Sequence, residues 1–204
     1  MPAPKTTPAQ AQDVVRPVLL RGGTALIYAL ISIFWIGADT KVLAYSTAAF
    51  LVLTGVFMWQ YVTVDSAPEK SRGAYALGAG LMLIAGIATL FVSTPMWVGF
   101  MAAFGFLAGG IAELYVFITL RRQFPPFRNQ LVTGVVSLVI AVAAVVGYQM
   151  DAHAMFGIIG GGAIVLAVFS LIAGFGHRHE MKASSAEADP EVDGPNDQPA
   201  EGSN

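Results

Sequence analysis

Two ionisable residues sit where the surrounding sequence is almost wholly apolar. Glu113 is the one carboxylate in GGIAELYVFITLRR, residues 109–122, and Arg21 interrupts VLLRGGTAL, residues 18–26. A charge placed in such a run costs a few kcal/mol unless it finds a partner, a proton or a polar path. Four chemistries are therefore open to Glu113: an ion pair with Arg21, a protonated acid, a hydrogen bond to Ser, Thr or Tyr, and a proton relay. Counted from Arg16 and Leu120, Arg21 lies five residues and Glu113 seven from the ends of their runs, about 7.5 and 10.5 Å at the helical rise. The matched depths favour the pair. Glu113 also shares a helical face with Gly109 and Gly105, at i−4 and i−8, which points it into a helix interface.

The other reactive residue types are poorly placed for catalysis. His177 and His179 flank Arg178 in a polar stretch and read as basic anchors rather than metal ligands, and His153 stands alone beside Asp151. With no cysteine in the chain, thiolate chemistry is excluded. GIIGGGAIVL, residues 157–166, has glycines but no preceding strand and no following Lys-Ser/Thr, so it is not a phosphate loop. No Ser-His-Asp set, paired acids or metal-spaced cluster is present. The reading is of a protein without catalytic residues, metal or cofactor and without a nucleic-acid partner. An enzyme of acyl or lipid chemistry would need a nucleophile–base pair or a nucleotide motif.

The elements that hold these residues follow from composition. Hydrophobic residues make up 55% of the 204, charged residues 12%, and mean hydropathy is +0.65. Soluble domains carry roughly twice that charged fraction. Six apolar spans stand out, about 18–37, 42–63, 73–93, 96–119, 130–149 and 153–175, each long enough for ~30 Å of hydrocarbon. Short turns (GADTK, STP, MDAH) join them in pairs, which makes an all-α membrane domain over 16–178 with hairpins at 16–64, 72–120 and 128–176. Residues 1–15 and 179–204 read as disordered tails; residues 183–204 hold six acids and no base. The N-terminal stretch lacks the layout of a cleaved signal peptide. Ten of the eleven Lys and Arg fall on the side of the termini and of the two longer links, and Lys41 alone on the other, so both termini are expected in the cytoplasm. Trp35, Trp97 and Tyr148 fall at the outer interface, Trp59 and Tyr61 at the inner one.

The hairpins repeat. Arg16, Arg72 and Arg128 are spaced by 56 residues; in that register Gly22, Gly78 and Gly134 coincide, as do Ala29, Ala85 and Ala141. Twenty-three residues after each Arg stands a helix starter, Asp39, Pro95 or Asp151. Glu113 takes the place held by Phe57 and Phe169, and Arg21 that of Leu77 and Thr133, so each is a departure confined to one copy. The rows Gly105-xxx-Gly109 and Gly157-xxx-Gly161, with Ala49 at the equivalent place, are expected at helix contacts together with Gly22, Gly78 and Gly134. Arg16, Arg72 and Arg128 are anchors at the cytoplasmic end of each hairpin, or cations for anionic lipid head groups.

Three tandem two-helix units, each with a basic residue, a Gly six on, a short outer turn and a small-residue-rich second helix, resemble the HdeD-like family of bacterial multi-pass membrane proteins. The resemblance covers about residues 14–178. It implies an inner-membrane protein of short repeats with a part in acid or envelope stress and no assigned catalytic residues. Pro stands in the outer turn of the second hairpin alone. A structural or stress-adaptive membrane component is the reading that follows, and a small transporter or proton channel using Glu113 is the alternative. Lipids are the expected partners, with a second copy or another membrane protein left open. A reporter fused to the C-terminus should be active only if it works in the cytoplasm; activity solely outside the membrane would reverse the orientation.

Overall fold

The computed structural model describes residues 8–64, 68–122 and 129–187, with backbone alone at 8–13, 177 and 180–187. The described residues are helical: α1 (Pro8–Phe34), α2 (Thr40–Trp59), α3 (Glu69–Thr89), α4 (Pro95–Leu120), α5 (Gln130–Val146) and α6 (Ala152–Glu187), with a 3-10 turn over Gln60–Thr63 after α2. Five of the six are long and apolar enough to cross a membrane. α5, at 17 residues, is the exception and spans about 25 Å. The chain is a multi-pass membrane protein.

The helices start where their caps place them. Asp39 accepts from the Val42 N–H at 2.8 Å, Asp151 from the Ala154 N–H at 2.8 Å, and Thr94 from the Trp97 N–H at 3.5 Å with Pro95 opening α4. Each carboxylate or hydroxyl meets one of the first-turn N–H groups that have no intrahelical partner. Gly37, at φ +77°, takes the left-handed conformation that turns the chain from α1 toward Asp39. Three boundaries differ from the sequence reading. α1 begins at Pro8, so residues 8–15 are helix rather than tail and Pro17 lies inside it; Val14, buried among Tyr61, Val64 and Leu120, gives that first stretch something to pack on. α5 stops at Val146, where Gly147 leaves helical geometry. α6 runs on to Glu187, past the expected boundary at 179.

In cross-section the six helices close a ring. α1 lies between α2 and α6, α3 between α2 and α4, and α5 between α4 and α6, while α2, α4 and α6 also meet one another at the centre. The first and last helices make the most extensive contact and shut the ring. The larger core cluster fills the middle, with the Tyr28 ring stacked on Phe50 at 4.5 Å and edge-on to Phe156 at 5.3 Å. A smaller one, including Val14, Met58, Tyr61, Val64 and Leu120, closes the end that carries the basic links. Outward faces are as apolar as the core: Ile27, Leu77, Ile84, Ile118, Val139 and Ile172 are all exposed. These surfaces face lipid.

Small residues set how closely the helices approach. A Cβ on Gly110 would stand 2.9 Å from the Gly134 carbonyl oxygen, and one on Gly134 3.1 Å from that of Gly110, so α4 and α5 cross backbone to backbone. Gly22 receives Leu171 and Ser170 of α6, and Gly78 the Ala112 methyl of α4. Gly105 receives Leu51, and Gly109 the Met82 methyl. Gly157 and Gly161, expected at a contact, face outward with nothing near, as does Ala49. The close approaches of α6 fall instead at Gly160, Gly162 and Gly174, which admit Ser32, Ile140 and Leu19. Because overpacking against a backbone cannot relax, Gly110→Ala or Gly134→Ala should destabilise by about 1–3 kcal/mol. Gly157→Ala and Gly161→Ala should leave Tm unchanged or slightly raised; thermal unfolding in detergent compares the four.

Candidate functional site

Glu113 and Arg21 are held by helices whose backbones do not approach one another. α1 and α4 lie across the ring from one another, yet Arg21 Nη1 donates to Glu113 Oε1 and the two form a salt bridge. Both side chains are buried, Glu113 completely and Arg21 to 4% exposure. The local sequence makes this reach workable. Gly22, next to Arg21, lets α1 press onto α6, and Gly109, one turn before Glu113, leaves room that the Met82 methyl partly fills. The long arginine stem then crosses the interior. Within the membrane spans, Arg21 lies seven residues from Val14 and Glu113 seven from Leu120, about 10 Å from the basic end in each case.

The pair is not alone at that level. Thr54 of α2, Tyr75 of α3, Ser137 of α5 and Ser170 of α6 are all buried, six to nine residues from the basic end of their membrane spans or, for α5, of the helix. Every helix thus contributes at least one polar side chain to a layer about 9–14 Å deep. Tyr61 and Tyr75 stack, with centroids 4.8 Å apart, and both lie close enough to interact electrostatically with Arg21 and Glu113. Tyr61 is hydrogen-bonded with Gln130, whose Oε1 accepts from Thr133 Oγ1 at 3.2 Å. Arg21 Nε and Nη2 and Glu113 Oε2 have no hydrogen-bond partner among the described residues. The charges are matched while part of the hydrogen-bonding capacity is left over.

Apolar packing bounds this layer on both sides. Val14, Met58, Val64 and Leu120 pack with Tyr61 and Tyr75 toward the basic end, and the Tyr28–Phe50–Phe156 core lies on the other side. What the arrangement can do chemically is hold two opposite charges in the buried interior of the bundle.

The remaining sequence candidates are dispersed. Arg16 is exposed at the basic end. Arg72 Nη2 donates to the Val64 carbonyl at 3.4 Å, which ties the start of α3 to the end of the 3-10 turn. Arg128 lies outside the described residues. His153 and His179 are exposed, and no group of three metal-capable side chains occurs among the described residues. Trp35, Trp97, Tyr148 and Trp59 are exposed near the helix ends, as interfacial residues are. Tyr61 differs: the sequence places it at the interface with Trp59, but the 3-10 turn folds it inward to 2% exposure. Gln130 is likewise buried, and its position at the start of α5 gave no sign of it.

The model of the family described as short repeat of unknown function (DUF308) matches the chain twice, over residues 20–91 and 92–146, together more than half of its length. The first match takes in most of α1 and all of α2 and α3; the second takes in α4 and α5. No curated protein and no solved structure gives a significant match.

Removing one member of a buried pair strands the other charge. Glu113→Gln and Arg21→Gln should each destabilise by about 3–5 kcal/mol. The double variant should recover more than half of the summed loss. Denaturant or thermal unfolding of the four proteins reads the coupling, and additive single costs would show that the two side chains do not interact.

Proposed function

The chain belongs to the family of short repeats of unknown function (DUF308), and on that premise we propose that it is a structural component of the bacterial inner membrane that acts without catalysis. The observation that carries this reading is the Arg21–Glu113 pair. Arg21 and Glu113 neutralise each other in the buried interior, with an apolar cluster packed toward either end of the bundle. A relay needs a chain of groups that can exchange protons with water on both sides. This pair instead joins helices on opposite sides of the ring, which is the work of a brace.

The unit of the architecture is a two-helix hairpin of about 56 residues, present three times. Its support lies in equivalent positions doing equivalent things. Asp39 and Asp151 cap α2 and α6, with Thr94 and Pro95 opening α4. Gly22, Gly78 and Gly134 all lie at helix contacts, and Ala29, Ala85 and Ala141 are all buried. The second helix of each hairpin meets the other two at the centre. Both termini lie in the cytoplasm on the strength of the ten-to-one distribution of Lys and Arg. The resemblance to the HdeD-like family extends the proposal to a stress-adaptive role under acid or envelope stress, with lipids and a second copy or another membrane protein as partners.

Proteoliposomes test the closed interior directly. Under an imposed pH gradient, vesicles holding the purified protein should acidify no faster than empty ones, and Glu113→Gln should not change the rate. A protein-dependent proton flux lost in Glu113→Gln would overturn the structural reading in favour of conduction.

A further inference from the structure

The outward surface of α3 and α4 is not uniformly ridged. Between the two helices runs a groove of about 590 Å³. Along α3 it is lined by one face, from Lys70 through Gly73, Leu77 and Gly78 to Leu81, and along the antiparallel α4 by Ala108, Ala112 and Tyr115. Small residues make the floor because the helices touch there: a Cβ on Gly78 would meet the Ala112 methyl at 2.6 Å. At Gly73 nothing stands within 4 Å of an added Cβ, so the groove is open beside it.

Its dimensions and polarity are those of one lipid leaflet. Lys70 to Leu81 is eleven residues, about 16 Å along the helix, against ~15 Å for half of a 30 Å hydrocarbon core. The outer end is apolar. The inner end carries exposed Lys70 and the half-exposed Tyr115. Arg121 and Arg122, both exposed, follow at the end of α4, with Arg72 on α3 and Glu69 as the one acid described there. Cations thus outnumber acids at the depth where a phosphate would lie, and an apolar trough of acyl-chain length leads away from them.

We propose that the α3–α4 groove is a binding site for an anionic phospholipid, with an acyl chain in the trough over Gly73 and Gly78 and the head-group phosphate at Lys70. Lipid contacts every exposed face of a membrane bundle, but a concave site with a cation at its end holds one molecule longer than a convex ridge does. The fit of chain to groove supplies the apolar part of the affinity, and Lys70 selects for negative charge. The site does not involve the Arg21–Glu113 pair, so it stands or falls separately from the structural reading of the interior.

Native mass spectrometry of the full-length protein, released from detergent with added lipid, tests this. The wild type should retain one phosphatidylglycerol several-fold more than phosphatidylcholine of the same chains, and glycerol phosphate, which has the charge without the chain, should not be retained. Lys70→Gln should erase the preference for phosphatidylglycerol. Gly73→Leu, whose Cβ has nothing within 4 Å, should occupy the groove and reduce retention of both lipids. Gly80→Leu, on the same helix outside the groove and also without a near neighbour, should match the wild type. Tm measured alongside establishes that each variant is folded. The proposal is overturned if folded Lys70→Gln keeps the preference, if folded Gly73→Leu retains lipid like the wild type, or if glycerol phosphate alone binds equally. It is also overturned if Gly80→Leu loses lipid to the same extent as Gly73→Leu.

Discussion

A carboxylate in hydrocarbon has to be neutralised, and here the neutralising group comes from the opposite side of the bundle. Arg21 of α1 reaches Glu113 of α4 although the two backbones do not approach one another, so the pair crosses the ring and fixes the axial register of α1 against α4. Apolar contacts alone would hold register weakly, because helices in lipid gain little hydrophobic free energy by associating and slide at small cost. A buried pair is different, since any shift that separates the charges leaves both unmatched. The polar layer around it draws a side chain from each helix, while other buried polar side chains, Ser32, Thr47 and Thr89 among them, lie nearer the opposite end.

The rest of the packing follows from how near the backbones can come. Gly110 and Gly134 bring α4 and α5 into direct contact, and Gly78 does the same for α3 against Ala112 of α4. With α4 drawn in on two sides, Glu113 is carried to the interior rather than to the lipid face. On α6 the glycines at 160, 162 and 174 admit side chains from α1 and α5, closing the ring where the chain's first and last helices meet. Dispersion and close approach therefore do in this bundle what hydrophobic burial does in a soluble one.

That division of labour bears on function. Apolar clusters pack toward either end from the ion pair, and on the outside α3 and α4 leave a groove with a lysine at its basic end.

Much of the architecture was legible in the residues. The lengths of the apolar runs gave six helices, Asp39, Pro95 and Asp151 marked where three of them begin, and the equal depths of Arg21 and Glu113 suggested a pair. These are local or one-dimensional properties: cap chemistry, rise per residue, distance from a helix end. The inward face of α4 was legible from Glu113 with Gly105 and Gly109, but that of α6 was not, because lipid is as apolar as a protein core and glycine spacing alone carries no inside and outside. Gly157 and Gly161 illustrate it: by spacing they look like a contact, yet they face lipid, while Gly160 and Gly162 point inward. The inward turn of Tyr61, the extension of α1 to Pro8 on the footing of Val14, and the closure of α1 on α6 were likewise decided by the tertiary structure. Each depends on what stands opposite a residue in space, and no property of the residue itself records that.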